Sequence, residues 1–132
     1  MKYLVILLAL LSGCGFPPPE GWTRFDEDPD NQAIIAYAEE RVTSFMGVKP
    51  EYYEIWIADT LERTIEACYG GAACNKFGRI IIHPDTDEYI CQQLVHEMWH
   101  SGTYALHQGW WVEPTPEFIA YISESCRKYG NW

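Results

Sequence analysis

Five consecutive residues, His96-Glu97-Met98-Trp99-His100, constrain this chain more than any other stretch. The pattern His-Glu-x-x-His has chemical meaning only on an α-helix, where side chains at i and i+4 share a face. There His96 and His100 offer two imidazole nitrogens to one metal ion. Glu97 projects about 100° round the helix from His96. That direction suits a carboxylate beside the metal's water better than a third ligand. Two neutral imidazoles, one carboxylate and one open position match Zn²⁺. In such a site the pKa of the water is lowered, and Glu97 is placed to take its proton.

The flanking residues supply the helix. In Asp85-Thr86-Asp87-Glu88, Asp85 or Thr86 can cap, and acidic residues in the first turn suit the helix dipole. Ile90, Leu94 and Met98, with Cys91 and Val95, form an apolar stripe at helical spacing. His96 and His100 flank the stripe, with Thr103 on the same side. Gly102 reads as a weak point near the helix end, and Gly109 as the close of the segment.

A chain of 132 residues is enough for one domain. The net charge of −10 argues against nucleic acid as a partner and against binding anionic membrane surfaces by charge. The N-terminus reads as a targeting segment: Met1-Lys2 is a short basic start, and Tyr3 to Leu11 is an apolar run too short to span a membrane. It ends in Leu11-Ser12-Gly13-Cys14, which resembles the lipobox of bacterial lipoproteins. That resemblance implies removal of residues 1–13 and lipidation of Cys14. With Gly15 following, it implies anchoring at the outer membrane facing the periplasm, in a bacterium or through the host pathway of a phage. Residues 14–21 then form a tether around Pro17-Pro18-Pro19. Residues 22–132 form the domain.

Four other cysteines remain, and an even number in an exported protein suggests two disulfides. Three pairings are open. Cys68 and Cys74 flank Gly70-Gly71, so a local bridge is plausible there. It leaves Cys91 with Cys126, tying the motif helix to the last helix.

In chain order, Asp26-Glu27-Asp28-Pro29-Asp30 is a turn and helix start, and Asn31 to Met46 an amphipathic helix ended by Gly47. Pro50 to Ala58 alternates as a strand, and Asp59 to Ala67 is a short helix capped by Asp59 or Thr60. Tyr69 to Gly78 reads as a loop, and Arg79 to His83 as a second strand stopped by Pro84. After the motif helix, Thr115 can cap a last helix with Pro116 as its first residue, running from Glu117 to Lys128.

Two histidines alone hold zinc poorly, so a third protein ligand is needed. His107 lies out of register with the extended pattern His-Glu-x-x-His-x-x-Gly-x-x-His. Glu113 follows Trp110-Trp111-Val112 but lies between a turn and a proline. Glu117 sits in the first turn of a helix, a rigid element, and is the preferred ligand of the three. Glu117-Phe118-Ile119-Ala120-Tyr121, downstream of His-Glu-x-x-His, resembles the gluzincin group of zincin metallopeptidases in their small, minimal form. The resemblance covers the order of elements over residues 30–128. It departs from the group's usual form in having Pro116 before the glutamate.

The resemblance implies an α+β, minimal zincin-like domain with a small sheet packed against the active-site helix and the C-terminal helix. It implies one Zn²⁺ held by His96, His100 and Glu117, with Glu97 as general base. The function so implied is zinc-dependent hydrolysis of peptide bonds by a monomer in the bacterial cell envelope. Its membrane contact would be through the lipid anchor alone, and its partner a peptide or protein substrate. The alternative is a non-catalytic zinc-binding lipoprotein serving as a binding or assembly module; a purely structural site has no use for Glu97.

Overall fold

The computed structural model describes residues 21–52 and 54–129. The stretch read as a targeting segment, Cys14 and most of the stretch read as a tether lie outside them. The described chain is α+β, as expected, with four helices and one four-stranded sheet. In order these are β1 (Thr23–Arg24), α1 (Gln32–Met46), β2 (Glu54–Ile57), α2 (Leu61–Ala67), β3 (Cys74–Lys76), β4 (Arg79–Ile82), α3 (Asp87–Ala105) and α4 (Pro116–Tyr129). A single 3₁₀ turn, Pro29–Asn31, leads into α1 and is capped by the Asp28 side chain.

The strand order is β1-β2-β4-β3. β2 and β4 are parallel, with Ile55 opposite Ile80 and Ile57 opposite Ile82. Parallel neighbours need a crossover, and α2 lies on that connection. Its N-cap is Thr60, whose hydroxyl accepts from the Arg63 amide. All three isoleucines of β4 are buried; Ile80 and Ile82 join the core, while Ile81 points to the opposite face.

Two strands were not foreseen. β1 is only two residues long and pairs antiparallel with β2. β3 lies inside the stretch read as a loop and pairs antiparallel with β4 across a turn at Phe77 and Gly78. Both turn residues have positive φ, 51° and 96°, as a tight hairpin turn requires. Phenylalanine is a poor residue for that backbone, so nothing in its identity marks the turn.

α3 is the centre of the molecule, packed by α1, α4 and the β3–β4 hairpin. Thr86 is its N-cap, accepting from the Tyr89 amide, with Asp87 and Glu88 in the first turn. Gly102 does not weaken the end. A Cβ there would sit 2.4 Å from Met46 Sδ on α1, so the missing side chain lets the two helices approach. Asn75 of β3 donates to the Glu97 carbonyl and to Ser101 Oγ at 2.8 Å each, which ties the edge strand to the motif helix. At the end of β4, Gln93 of α3 bonds both the amide and the carbonyl of His83.

Both disulfides form as read from the sequence: Cys68–Cys74 and Cys91–Cys126. The first joins the end of α2 to β3, the second α3 to α4. Their loops span 6 and 35 residues. Loop-closure entropy makes the longer bridge worth about 4 kcal/mol and the shorter about 2 kcal/mol. Replacing Cys91 and Cys126 together by alanine is therefore expected to lower urea-unfolding stability by about 2–4 kcal/mol. Replacing Cys68 and Cys74 is expected to cost less.

A charged cluster closes the sheet's β1 side. Arg24 donates twice to the Asp26 carboxylate, both at 2.8 Å, and also approaches Glu54. Glu54 in turn accepts from Arg79. Burial pushes the Asp26 carboxyl up, but the Arg24 hydrogen bonds and charge outweigh it and the net shift is downward. Glu54 is likewise pushed up by burial and brought below its usual range by Trp56, Arg79 and Arg24. Carboxyls lowered on folding stabilise the fold above their unfolded pKa, about 4, and that stabilisation is lost as pH falls through the lowered values. Arg24→Gln should cost about 1–2 kcal/mol in urea unfolding at pH 7, a deficit that shrinks as pH falls below about 4.

Candidate metal centre

His96 and His100 sit one turn apart on α3, their ring centroids 5.5 Å from each other. One ligand atom from each, and one carboxylate oxygen of Glu113, lie within 4.8 Å of one another. The carboxylate brought to the two imidazoles is that of Glu113, and Glu117, the ligand the sequence favours, is not in this group.

The physical reason lies in how the loop after α3 is held. Trp99 is buried inside the motif, and its indole N–H must find an acceptor. It donates to the Val112 carbonyl at 2.8 Å. Thr103, fully buried, donates to the Gly109 carbonyl at 2.7 Å. Two side chains of α3 thus hold the loop at both ends of the Trp110-Trp111 pair. The chain folds back over the helix and delivers Glu113 to the histidines. Gly109 makes the reversal possible: its φ is +103°, and a Cβ there would lie 2.6 Å from the Trp111 ring. Pro114 biases Glu113 against helical backbone, and α4 begins only after Thr115, whose hydroxyl accepts from the Phe118 amide.

Glu117 is exposed at the start of α4. That helix buries Phe118, Ile122 and Cys126 against the core, with Cys126 bonded to Cys91. Glu117 shares its stripe with Tyr121, whose hydroxyl reaches the Arg41 carbonyl on α1. His107 is exposed beyond the helix end, at φ +61°, and is outside the group too. The loop signal was present in the sequence as Trp99 and Thr103, two buried groups in need of acceptors, set four residues apart.

The donors suit a divalent metal. Burial lowers the His96 pKa, helped by His100 and opposed by the Glu113 charge. Burial also lowers that of His100, opposed by Glu113 and the nearby Trp110 backbone. Both rings are thus held toward the neutral, ligating form. Nδ1 of His100 is buried and has no completed hydrogen bond. All four described cysteines are locked in disulfides, so no thiolate competes.

Glu97 is 5% exposed, an unusual place for a carboxylate. One of its carboxylate oxygens lies 3.8 Å from His96 Nε2. Burial first, and the Glu113 charge second, push its pKa up to about 8. A cavity of about 320 Å³ opens beside it, lined by Ala72, Ala73, Gln92, Gln93, His96 and Glu97. Ala72 and Ala73 lead directly into β3, whose side away from β4 has no strand partner among the described residues. The opening therefore lies between the sheet edge and the metal-ligand face of α3.

Comparison with protein-family models, with curated proteins and with solved structures found no match for this chain.

Proposed function

We propose that this protein is a zinc-dependent hydrolase of peptide bonds, with His96, His100 and Glu113 as the metal ligands and Glu97 as the general base. The observation that carries the reading is the group of three side chains with a buried carboxylate adjacent to it. Three protein ligands are the number catalytic zinc sites use, whereas structural sites use four. Among the described residues no fourth His, Cys, Asp or Glu joins the group. That, with Glu97 next to it, favours an enzyme over the non-catalytic binding module.

When bound, zinc would polarise the substrate carbonyl and lower the pKa of the attacking water. The chain's own residues do the rest. Glu97, inside a poorly solvated pocket, exchanges a proton with whatever occupies the neighbouring cavity. Its raised pKa suits it both to take a proton from water and to give one to the leaving amine. The unpaired side of β3 supplies backbone groups along which an extended peptide can align. This reading keeps the chemistry of the gluzincin-type zincins that the sequence resembles, with the glutamate ligand taken from the loop before the following helix rather than from that helix. The same reading takes the protein as a monomer anchored in the cell envelope by lipid on Cys14, acting on peptides or proteins.

The test uses the domain from Gly15. Zinc per chain is measured together with hydrolysis of fluorogenic peptides. The wild type should hold one zinc. Glu113→Ala should weaken zinc affinity by more than about 100-fold, and Glu117→Ala should leave it intact. Glu97→Gln should keep the metal and lose about 10²–10⁴-fold in kcat. A zinc-free wild type, or a Glu97→Gln protein that still cleaves, overturns the reading.

A further inference from the structure

Beyond the metal centre the structure has a second built feature, an aromatic and acidic cavity that the hydrolytic chemistry does not use. Two adjoining cavities, of about 420 and 690 Å³, share three lining residues: Glu51, Tyr104 and Trp110. The rings of Tyr104 and Trp110 stack with centroids 4.2 Å apart and planes 19° apart. Each ring has one face against the other, and both residues line both cavities. Phe77, at the tip of the β3–β4 hairpin, meets Trp110 edge-on at 6.2 Å. The stack is therefore held from both sides of the site, by α3 and by the hairpin.

The cavity adjoins the metal-ligand group. Tyr104 is four residues after His100, hence on the same helix face about one turn further on. Trp110 precedes Glu113 by three residues, and its backbone lies close enough to His100 to act on its pKa. A peptide held at the metal centre would bring a neighbouring side chain to this wall.

The chemistry of the wall selects which side chain. The protein carries a net charge of −10. Glu39 and Glu51 border the smaller cavity, against a single cation, Lys49. Glu39 already accepts a hydrogen bond from the Tyr52 hydroxyl, but no ion pair engages Glu51 among the described residues. An aliphatic guest would strip water from Glu51 and return nothing. An acidic guest would be repelled. A cation over the Trp110 or Tyr104 face gains the ring's quadrupole attraction and also pairs with Glu51.

We propose that the cavity walled by Tyr104, Trp110 and Glu51 is a specificity subsite that receives the lysine or arginine side chain of a peptide substrate. The proposal rests on the peptide-hydrolase reading for the word substrate, while the binding it asserts is measurable without catalysis.

The experiment uses capped peptides identical except at one position, which carries lysine, arginine, norleucine, phenylalanine or glutamate. Their binding to zinc-loaded Glu97→Gln protein is followed by quenching of tryptophan fluorescence, and their cleavage by wild type is followed separately. Lysine and arginine peptides should bind about tenfold more tightly than the norleucine peptide, and the advantage should fall with added salt. Glu51→Gln, at an exposed position, should abolish the difference between lysine and norleucine, with the change in KM rather than kcat. Equal binding of lysine and norleucine, an unchanged preference in Glu51→Gln, or a preference for phenylalanine overturns the subsite. So does displacement of the peptides by a chitin oligosaccharide at lower concentration than by the lysine peptide, which would make the wall a sugar platform. A lysine preference in binding with no cleavage of any peptide upholds the subsite and removes the hydrolase. Cleavage without any preference removes the subsite and upholds the hydrolase.

Discussion

The hydrogen bond from the Trp99 indole to the Val112 carbonyl is the contact on which the candidate centre depends. His96 and His100 are placed by helix geometry alone, since any α-helix sets i and i+4 on one face. Glu113 has no such guarantee, because it lies on an irregular loop. What places it is a side chain of the same helix, inside the same five-residue motif, assisted one turn later by Thr103. The helix thus supplies two members of the candidate group directly and the third through the loop it holds. A loop ligand on a flexible tether would be a poor metal donor. Glu113 directly follows a carbonyl held by a part-buried hydrogen bond, which leaves it less freedom to lose on binding.

α3 bears a cost for this arrangement. Glu97, His100, Ser101 and Thr103 are all buried along its second half, where an ordinary core helix would carry aliphatic residues. Most of these groups are satisfied: Ser101 by Asn75, and Thr103 by the His100 and Gly109 carbonyls. Nδ1 of His100 is buried without a hydrogen-bond partner, and burial raises the pKa of the Glu97 carboxyl. Buried polar groups without partners are rare in folded proteins. Glu97 and His100 lie within one turn of each other beside Glu113, and a perturbed carboxyl next to an unpartnered buried imidazole nitrogen is what supports a functional reading of this face.

Local signals made much of the fold legible in the sequence. Thr86 and Thr115 cap as read, Pro116 opens the last helix, Gly47 closes the first with φ +73°, and the cysteines pair as spacing suggested. The illegible parts are those decided by tertiary contact. β1 and β3 are two and three residues long, too short for alternation to register. β3 also turns through Phe77, where a hairpin normally declares itself by glycine or asparagine. Gly102 looked like a helix breaker because propensity sees only its own helix, whereas its role is set by Met46 on another. Glu117 was preferred over Glu113 because a helix seemed the firmer support. Glu113 is instead the carboxylate grouped with the histidines, because Trp99 and Thr103, ten or more positions upstream of it, hold the loop before it.

Stability and chemistry meet at the Cys91–Cys126 bridge. A domain of this size has a small core, and four buried polar residues on its central helix reduce the apolar area that core can bury. The bridge fixes α4 to the N-terminal half of α3, two turns before the ligands. Because α4 starts only three residues after Glu113, the same bridge limits how far the end of the ligand loop can drift. Trp99 and Thr103 hold the loop from below, and α4, itself fastened through Phe118, Ile122 and Cys126, holds it from beyond. The covalent link therefore compensates for polar residues in the core and also restrains Glu113, the one member of the candidate group that secondary structure does not place.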